Sequence, residues 1–157
     1  MNNRKNSTLE ELEARRTAII GRQLFYCFQL FLDRATIKLQ RRGHENIGMA
    51  QSALLRNLDF SGTQLTTIAK RAGVTKQAII KIARDLHERR YIKIVSDPND
   101  RRGKIVSLTP KGFRLVNDVM EVAAEVEDEV AAVIGRKEIE NLRATLDSLL
   151  KAALPPA

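Results

Sequence analysis

Residues 64–92 read QLTTIAKRAGVTKQAIIKIARDLHERRYI, and the fold is decided in this stretch. Its first part predicts a short helix with three apolar residues, Leu65, Ile68 and Ala69, on the inner side. Gly73 then lies where a tight turn between two helices requires a positive φ, and the Thr75 hydroxyl can accept a backbone N–H of the next helix. The stretch therefore predicts a helix-turn-helix.

The second helix of this pattern has a distinct inner and outer side. Its apolar residues at the spacing i, i+3, i+4, i+7 are Ile79, Ile82, Ala83 and Leu86. The residues that this spacing leaves outside are Lys76, Gln77, Ile80, Lys81 and Arg84. The outer side is therefore basic and carries an amide group.

Two short stretches rich in β-branched residues follow, YIKIVS at 91–96 and GKIVSLT at 103–109. The DPNDRR segment between them contains Pro, Asn and Asp, which favour a turn, so the two stretches should pair as a hairpin with an arginine-rich tip. A helix-turn-helix followed by such a hairpin is the winged-helix arrangement, in which the second helix enters the major groove and the wing reaches phosphates or the minor groove. We expect a mainly α fold with a small β-hairpin wing.

The positive charge of the chain is concentrated in the same region. The net charge is +8, and residues 61–112 contain twelve Lys and Arg against four Asp and Glu. Residues 1–60 carry +4 and residues 113–157 carry −4, so the middle third accounts for the whole excess. This concentration favours nucleic acid as the partner over an evenly solvated surface.

Residues 9–42 contain no helix breaker except Gly21, so they predict one long first helix, bent at Gly21 if anywhere. Such a helix would be about 50 Å long, more than the roughly 40 Å diameter of a compact domain of this size. Its middle, LFYCFQLFL at 24–32, is apolar almost all round. A helix that is apolar on every side must be covered on every side, so we expect one face to meet a second subunit.

Three further helices complete the expected chain. A short helix at about 49–58 has its inner side formed by Leu54, Leu55 and Leu58, and it ends at the turn DFSGT. Thr109-Pro110, a cap followed by proline, begins a helix to about Ile134 whose apolar stripe is Val116, Val119, Ala123, Val126, Val130 and Val133. The last helix, at 137–154, has the stripe Ile139, Leu142, Leu146, Leu149 and Leu150. These spacings suit packing of helix on helix, within a subunit or between two.

The segment Asp100-Arg101-Arg102-Gly103-Lys104-Ile105-Val106-Ser107-Leu108-Thr109-Pro110-Lys111-Gly112 resembles the wing signature of the MarR family of bacterial regulators, Asp-x-Arg, five residues, then Leu-Thr-x-x-Gly. Every specified position matches, and the order of elements is similar over about 9–154. The resemblance implies one unit, 1–157, with dimerisation helices at 9–42 and 113–154 and a DNA-binding winged helix-turn-helix at 49–112. It also implies a homodimeric repressor that binds a near-palindromic double-stranded operator, with its DNA affinity lowered by a small ligand or by thiol oxidation.

The resemblance assigns roles to single residues. Arg102 matches the wing arginine that reaches the minor groove, and Asp100 matches the acid that braces it, although Asp100 also suits simple turn chemistry. Lys76, Gln77 and Lys81 match groove-facing positions, where Gln can pair with adenine and Lys with guanine or phosphate, and Arg84 and Lys111 are expected to contact phosphate. An ordinary solvated helix face is the alternative. The complete candidate DNA-binding set is Thr75, Lys76, Gln77, Ile80, Lys81, Arg84, Asp100, Arg101, Arg102 and Lys104.

Four other residues could have special roles. Arg90 stands where the family usually has Gly, and a left-handed helix cap there would cost about 1 kcal/mol, so a different helix end stays open. Cys27 lies in the apolar stretch beside Phe28 and Phe31, so inert packing is expected rather than redox sensing. His44 and His87 have no partner at metal-ligand spacing, and His87 is expected on the helix exterior.

The remaining patterns exclude several classes of protein. A single cysteine cannot form an internal disulfide, and no cofactor or metal is expected. No apolar run is long enough to span a membrane, and no signal peptide is evident, so we expect a cytoplasmic protein with no membrane contact. A small hydrolase or transferase lacks its motifs, so no enzyme activity is expected. A non-specific architectural DNA protein remains the alternative to a sequence-specific regulator, and the affinity ratio for one operator over random DNA separates them.

Overall fold

The computed structural model describes residues 8–98, 100 and 103–152, in which helices surround a small antiparallel sheet. The elements are α1 (Leu9–Thr17), α2 (Ile20–Arg41), α3 (Met49–Arg56), β1 (Thr63–Gln64), α4 (Leu65–Ala72), α5 (Lys76–Glu88), β2 (Ile92–Ser96), β3 (Lys104–Leu108), α6 (Pro110–Ile134) and α7 (Arg136–Lys151). This architecture confirms the predicted winged helix. None of the helices in the described part of the chain is long and apolar enough to cross a membrane.

Helices α4 and α5 form the predicted helix-turn-helix. Gly73 has φ +65°, and the Thr75 hydroxyl accepts the Ala78 N–H at 3.2 Å, as expected. The residues of this pair that are buried are Leu65, Ile68, Ala69, Ile79, Ala83 and Leu86. Ile80 was expected outside but is half-buried against the core, because a residue next to the buried stripe can lean its apolar side chain inward.

The sheet has one strand more than predicted. Strands β2 and β3 pair antiparallel as the expected hairpin, with Ile94 opposite Val106. The short β1 pairs with the other edge of β3, with Thr63 opposite Val106, so the strand order is β1-β3-β2. Two residues are too few to show an alternating pattern, so the sequence carries no sign of this strand.

The prediction of one long first helix is wrong. The chain leaves the helix at Ala18 and Ile19, where Ile19 is extended (φ −69°, ψ 117°), and Gly21 lies inside α2. Thr17, Ile19 and Ile20 are β-branched and lower the helix propensity at this point. Since α2 has 22 residues and spans about 33 Å, the length of the helix no longer argues for a second subunit.

The buried side of α6 also differs from the predicted stripe. The buried residues of α6 are Gly112, Leu115, Val122, Val126 and Ala131. Of the predicted stripe only Val126 is among them, whereas Val119, Ala123 and Val133 are exposed. In α7, Ile139 is buried and Leu142, Leu149 and Leu150 are exposed. The predicted stripe of α6 is therefore wrong for most of its residues, and the predicted stripe of α7 is buried in this chain only at Ile139.

Contact between α2 and α6 is reinforced by a ladder of ion pairs. The pairs are Arg34–Glu129, Lys38–Glu125, Lys38–Glu129, Arg42–Asp118, Arg42–Glu121 and Arg42–Glu125, with N–O distances between 2.5 and 3.4 Å. Some of the positive charges in the first third of the sequence therefore pair with negative charges in the last third of the same chain.

The Leu-Thr-x-x-Gly part of the wing signature builds the junction between the sheet and α6. Thr109 caps α6 by accepting the Gly112 N–H at 3.1 Å, and its own hydroxyl donates to the Arg90 carbonyl at 2.6 Å. A Cβ on Gly112 would lie 2.0 Å from the Tyr91 carbonyl oxygen. Only glycine lets α6 start this close to the chain leaving α5.

Helix α5 ends with the left-handed cap at Arg90, which was one of the two helix ends that the sequence allowed. Arg90 has φ +62°, the Arg90 N–H donates to His87 O at 2.9 Å, and the Tyr91 N–H donates to Leu86 O at 2.9 Å. This is the Schellman arrangement, which normally has Gly at the left-handed position. The chain thus uses the usual helix end and accepts the backbone strain of a non-glycine residue there.

Candidate nucleic-acid interface

The outer side of α5 carries four polar side chains that are free to bind a partner. Lys76, Gln77, Lys81 and Arg84 are all exposed. Within the part of the chain that the structure describes, none of these four side chains has a hydrogen bond or an ion pair. Thr75, by contrast, uses its hydroxyl oxygen as the cap of α5. The helix therefore presents three cations and one amide in a single exposed row.

The acidic residue nearest to this row is turned away from it. Asp85 accepts hydrogen bonds from Gln51 Nε2 at 3.0 Å and from Arg89 Nη2 at 2.8 Å. Its carboxylate is thereby held against α3 and the end of α5 rather than beside Arg84. As a result the exposed side of α5 keeps its positive potential.

The wing extends the basic surface beyond α5. Lys93 on β2 and Lys104 on β3 are exposed, and Lys104 Nζ donates to Ser96 Oγ at 2.9 Å. At the base of the wing the buried Asp97 accepts a hydrogen bond from the Gln64 amide, which ties β1 to the wing.

The predicted wing tip is described only in part. Asp100 is exposed, and its carbonyl accepts the Gly103 N–H at 2.8 Å, so it belongs to a tight turn. Arg101 and Arg102 lie outside the described residues. The bracing of Arg102 by Asp100 stays a prediction.

Sequence reasoning missed a second polar surface, on α4. Thr66, Thr67, Lys70 and Arg71 line an open hollow of about 620 Å³. The Arg71 guanidinium lies 2.9 Å from Asp59 and holds the pKa of that carboxyl below its usual range. In helix-turn-helix proteins the first helix crosses the DNA backbone, and that rule together with the exposed side of α4 could have identified these residues.

One predicted phosphate contact is replaced by an internal contact. Lys111 Nζ donates to the Arg89 carbonyl at 3.2 Å and lies 4.3 Å above the centre of the Tyr91 ring. The expectation that Lys111 faces DNA is therefore wrong. Its role in the wing signature is to hold the start of α6 against the end of α5.

The two histidines have structural surroundings. His44 is buried, with Nε2 2.6 Å from Asp118 Oδ2 and Nδ1 3.1 Å from the Tyr91 hydroxyl. His87 is exposed as expected, with a ring nitrogen 3.1 Å from Ile92 O. Among the described residues, no cluster of His, Cys, Asp and Glu could hold a metal ion.

Cys27 is exposed in the single chain, so its inert packing stays a prediction. It lines an apolar groove of about 560 Å³ between α2, α6 and α7. The apolar residues around this groove are Leu24, Phe28, Phe31, Ile139, Leu142, Leu146 and Leu150. The groove lies apart from the basic surface of α5.

Comparison with known proteins finds similar transcriptional regulators. Residues 46–103 match the model of the MarR family. The HTH-type transcriptional regulator TcaR of Staphylococcus aureus (strain Newman) is 26% identical over 104 residues, which are 64% of this chain and 68% of that protein.

Two solved structures share the fold. Sco3205, a MarR family transcriptional regulator from Streptomyces coelicolor in complex with DNA, has a TM-score of 0.61 at 19% identity, covering 95% of this chain and 91% of that one. Bordetella bronchiseptica BpsR, described with regulation of its DNA binding by 6-hydroxynicotinic acid, has a TM-score of 0.63 at 22% identity, covering 85% and 96%.

The fold is a winged helix-turn-helix with an exposed basic helix. The region that contains it is similar to the MarR family, whose members are transcriptional regulators and not enzymes.

Proposed function

We propose that this protein is a homodimeric, cytoplasmic repressor that reads a near-palindromic operator and leaves it when a small-molecule effector binds. The observation that carries the proposal is the row of Lys76, Gln77, Lys81 and Arg84, exposed on α5 and without partners in the described part of the chain. A chain gains nothing in stability from four unpaired polar side chains on one helix face. A partner that offers phosphates and base edges satisfies all of them.

Within this surface the residues have different tasks. Gln77 and Lys81, one turn apart on α5, are proposed to contact base edges, where an amide suits adenine and an ammonium suits guanine. Lys76 and Arg84, at either end of the row, are proposed to contact phosphates. On the wing, Arg101, Arg102 and Lys104 are proposed to reach the backbone and the minor groove, with Asp100 orienting Arg102.

The apolar surface of the outer helices supports a homodimer. Helix α1 has no buried residue, and its Leu9 is 81% exposed. On α7, Leu150 is 77% exposed at the edge of the apolar groove. An exposed apolar surface of this extent is costly in water, and a second copy of the chain covers it.

Burial rather than charge drives this association. Residues 1–60 carry +4 and residues 113–157 carry −4, so the first helices of one chain would attract the last helices of the other. In the structure Arg34, Lys38 and Arg42 already pair with α6 of their own chain. The charges of this ladder are therefore largely satisfied before the second subunit arrives.

Release by an effector is supported by the BpsR neighbour, whose DNA binding is regulated by 6-hydroxynicotinic acid. A small effector shifts a regulator between two arrangements of its DNA-contacting elements when it binds one arrangement more tightly than the other. We extend this behaviour to the present chain without assigning the chemistry of its effector.

Selection of fragments from a random double-stranded DNA pool by the purified protein tests the proposal. We expect enrichment of a near-palindrome whose half-site centres lie about 10 bp apart, at a stoichiometry of two chains per site. Specific affinity should exceed that for random DNA at least about a thousandfold. Equal affinity for all fragments would instead identify a non-specific architectural protein.

The wing is tested with Arg102→Ala, which removes a positively charged group from the tip. We expect operator affinity to fall by at least about 1 kcal/mol, and the loss should come without a change in thermal stability. Lys137→Ala on α7 removes one positive charge elsewhere and is the matched control. Equal losses in both variants would show that only the net charge matters.

A further inference from the structure

We propose that the contact between Tyr91 and His44 is a joint that fixes the angle between the recognition helix α5 and the α2–α6 helix pair. Tyr91 is then a positioning residue for operator binding, because it acts on DNA through α5. This inference rests on the proposed dimeric regulator, and it adds the element that sets the geometry between the two reading helices.

The joint is built from the ends of two helices. In α2, Gly43 has φ +84° and the His44 N–H donates to Leu39 O at 2.9 Å. In α5, Arg90 and Tyr91 repeat this arrangement, with the Tyr91 N–H on Leu86 O. His44 and Tyr91 are thus the first residues past the left-handed position of their helices, and each helix end fixes the direction of the side chain that follows it.

The side chains of His44 and Tyr91 meet in the interior, and His44 also contacts a third helix. The Tyr91 hydroxyl lies 3.1 Å from His44 Nδ1, and His44 Nε2 lies 2.6 Å from Asp118 Oδ2 on α6. With Nε2–H donating to the carboxylate, Nδ1 is free to accept the Tyr91 hydroxyl proton. A single chain of hydrogen bonds therefore joins the end of α5 to the end of α2 and the middle of α6.

The surroundings leave Tyr91 little freedom. Its ring is 2% exposed and lies between the Lys111 ammonium, 4.3 Å from the ring centre, and the Arg89 guanidinium at 5.4 Å. Its carbonyl oxygen is covered by Thr109 and by Gly112, where no side chain fits. The Arg89 guanidinium also donates to the carbonyls of Glu45 and Asn46, just beyond His44.

The Tyr91 hydroxyl can define the rotation of α5, which burial of the ring alone cannot. Apolar burial is roughly proportional to area and has no preferred direction, so it holds the ring inside without defining the rotation of α5. A hydrogen bond weakens steeply away from its linear geometry, so it does define a direction. Removing only the hydroxyl should leave the fold in place and loosen the angle between α5 and the α2–α6 pair.

This angle has a measurable consequence in a dimer. Helices α2 and α6 contribute to the exposed apolar surface that the second copy covers, whereas α5 carries the reading residues. The angle at the joint therefore sets the separation of the two recognition helices. A fixed angle makes the protein discriminate between operators with different distances between their half-sites.

The test compares Tyr91→Phe with Ser61→Ala, which removes an exposed hydroxyl from the turn after α3. The probes are the selected operator and versions with one base pair added or removed between the half-sites. We expect the wild type to prefer the unaltered spacing. In Tyr91→Phe this preference should shrink about three- to tenfold, the range for one net hydrogen bond. Ser61→Ala should keep the wild-type ratio.

His44→Gln is the second variant, and it loses the same directional contact from the other side. Its spacing ratio should shrink at least as much, because His44→Gln also removes the contact with Asp118. The double variant should lose no more than His44→Gln alone, since the Tyr91–His44 contact is already broken in it. Thermal unfolding is measured in parallel, since a merely destabilised protein loses affinity for all spacings alike.

Two outcomes overturn the inference in different ways. If the wild type discriminates between spacings and Tyr91→Phe retains the full ratio, the joint does not position α5, and the proposed dimeric regulator stands. If the wild type itself shows no spacing preference, or binds a single half-site as a monomer, the proposed dimer fails and the inference fails with it.

Discussion

The DNA-binding region and the outer helices leave opposite kinds of groups uncovered. In α4 and α5 the apolar residues are buried within the chain, while the lysines, the arginine and the glutamine on the outer side of α5 have no partner in the described structure. In α2, α6 and α7 many cations are paired, while Phe28, Leu142 and Leu150 remain exposed. One region therefore needs a charged partner and the other needs an apolar one.

This difference shows how two binding surfaces can be read from one chain. A surface indicates its partner by what its own chain does not satisfy, because unpaired polar groups and uncovered apolar groups are stabilised by different neighbours. The two regions share part of the hydrophobic core, and they also meet at the joint of His44, Tyr91 and Asp118 and at the start of α6. Substitutions in one region should therefore affect a different property from substitutions in the other.

The largest effect is expected from Phe28→Glu, which places a charge in the apolar groove of the outer helices. Burying an unpaired charge is costly, so the dimer should dissociate, and operator affinity should fall at least about a hundredfold because two half-sites can no longer be bound together. Sedimentation and operator titration measure the two effects. Met49→Glu, an equally exposed apolar position on α3, is the control. If Phe28→Glu still forms a dimer with normal operator affinity, the groove is not part of the dimer interface.

A pair of glycine substitutions tests the junction between the regions. Gly112→Ala places a Cβ 2.0 Å from the Tyr91 carbonyl oxygen, and it should lower the free energy of unfolding by about 1–3 kcal/mol or more. Gly21→Ala, inside α2 with nothing near the new Cβ, should raise it by roughly 0.5–1 kcal/mol. Urea unfolding gives both values. Equal stabilisation by the two alanines would refute the close approach of α6 to Tyr91.

The reading surface is tested by Gln77→Ala and Lys81→Ala, which should change the preferred bases without affecting the dimer. Loss of a specific base contact should cost about 1–3 kcal/mol against the operator and less against variants at the contacted base pair. Arg84→Ala should weaken binding to all variants about equally and reduce the salt dependence by about one unit. If Gln77→Ala lowers the affinity for every variant alike, α5 is docked differently.

The smallest effect concerns the ion-pair ladder between α2 and α6. Hydrogen bonds donated by Lys38 lower the pKa values of Glu125 and Glu129, and the same hydrogen bonds raise the pKa of Lys38. A lowered carboxyl pKa contributes stability above the ordinary Glu value of 4.5 and loses it as the pH falls. The raised Lys38 pKa contributes stability below 10.5 and loses it as the pH rises further. Between pH 4.5 and pH 10.5 the ladder therefore contributes its full stability to the fold.

The variant Glu125→Gln/Glu129→Gln should therefore narrow the difference in urea midpoint between pH 7 and pH 3.5. Glu88→Gln, at an exposed glutamate that has no ion pair in the described residues, is the control and should leave the difference as it is. The change should be modest and smaller still in high salt, since these pairs are partly exposed. A salt-independent change would contradict ion pairing as its cause.

The sequence by itself determined the helix-turn-helix and the start of α6. Gly73, Thr75 and Thr109-Pro110 act on backbone groups within four residues, and the buried row Ile79, Ala83 and Leu86 follows one helical period. Interactions of such short range leave a local pattern, so turn chemistry and spacing suffice to predict them. The basic outer side of α5 was predicted for the same reason, because it is what remains when the inner side is known.

Only the tertiary structure decided the features that depend on distant residues. The β1 pairing with β3, the face of α6 that meets α2, the inward turn of Lys111 and the His44–Tyr91 joint all link segments that lie far apart in the chain. Two faces of α6 are apolar enough to be buried, and packing against the rest of the chain decides which of them is. The local sequence pattern shows which faces of a helix can be buried. Which of these faces is buried depends on the shape and charge of the element that packs against the helix.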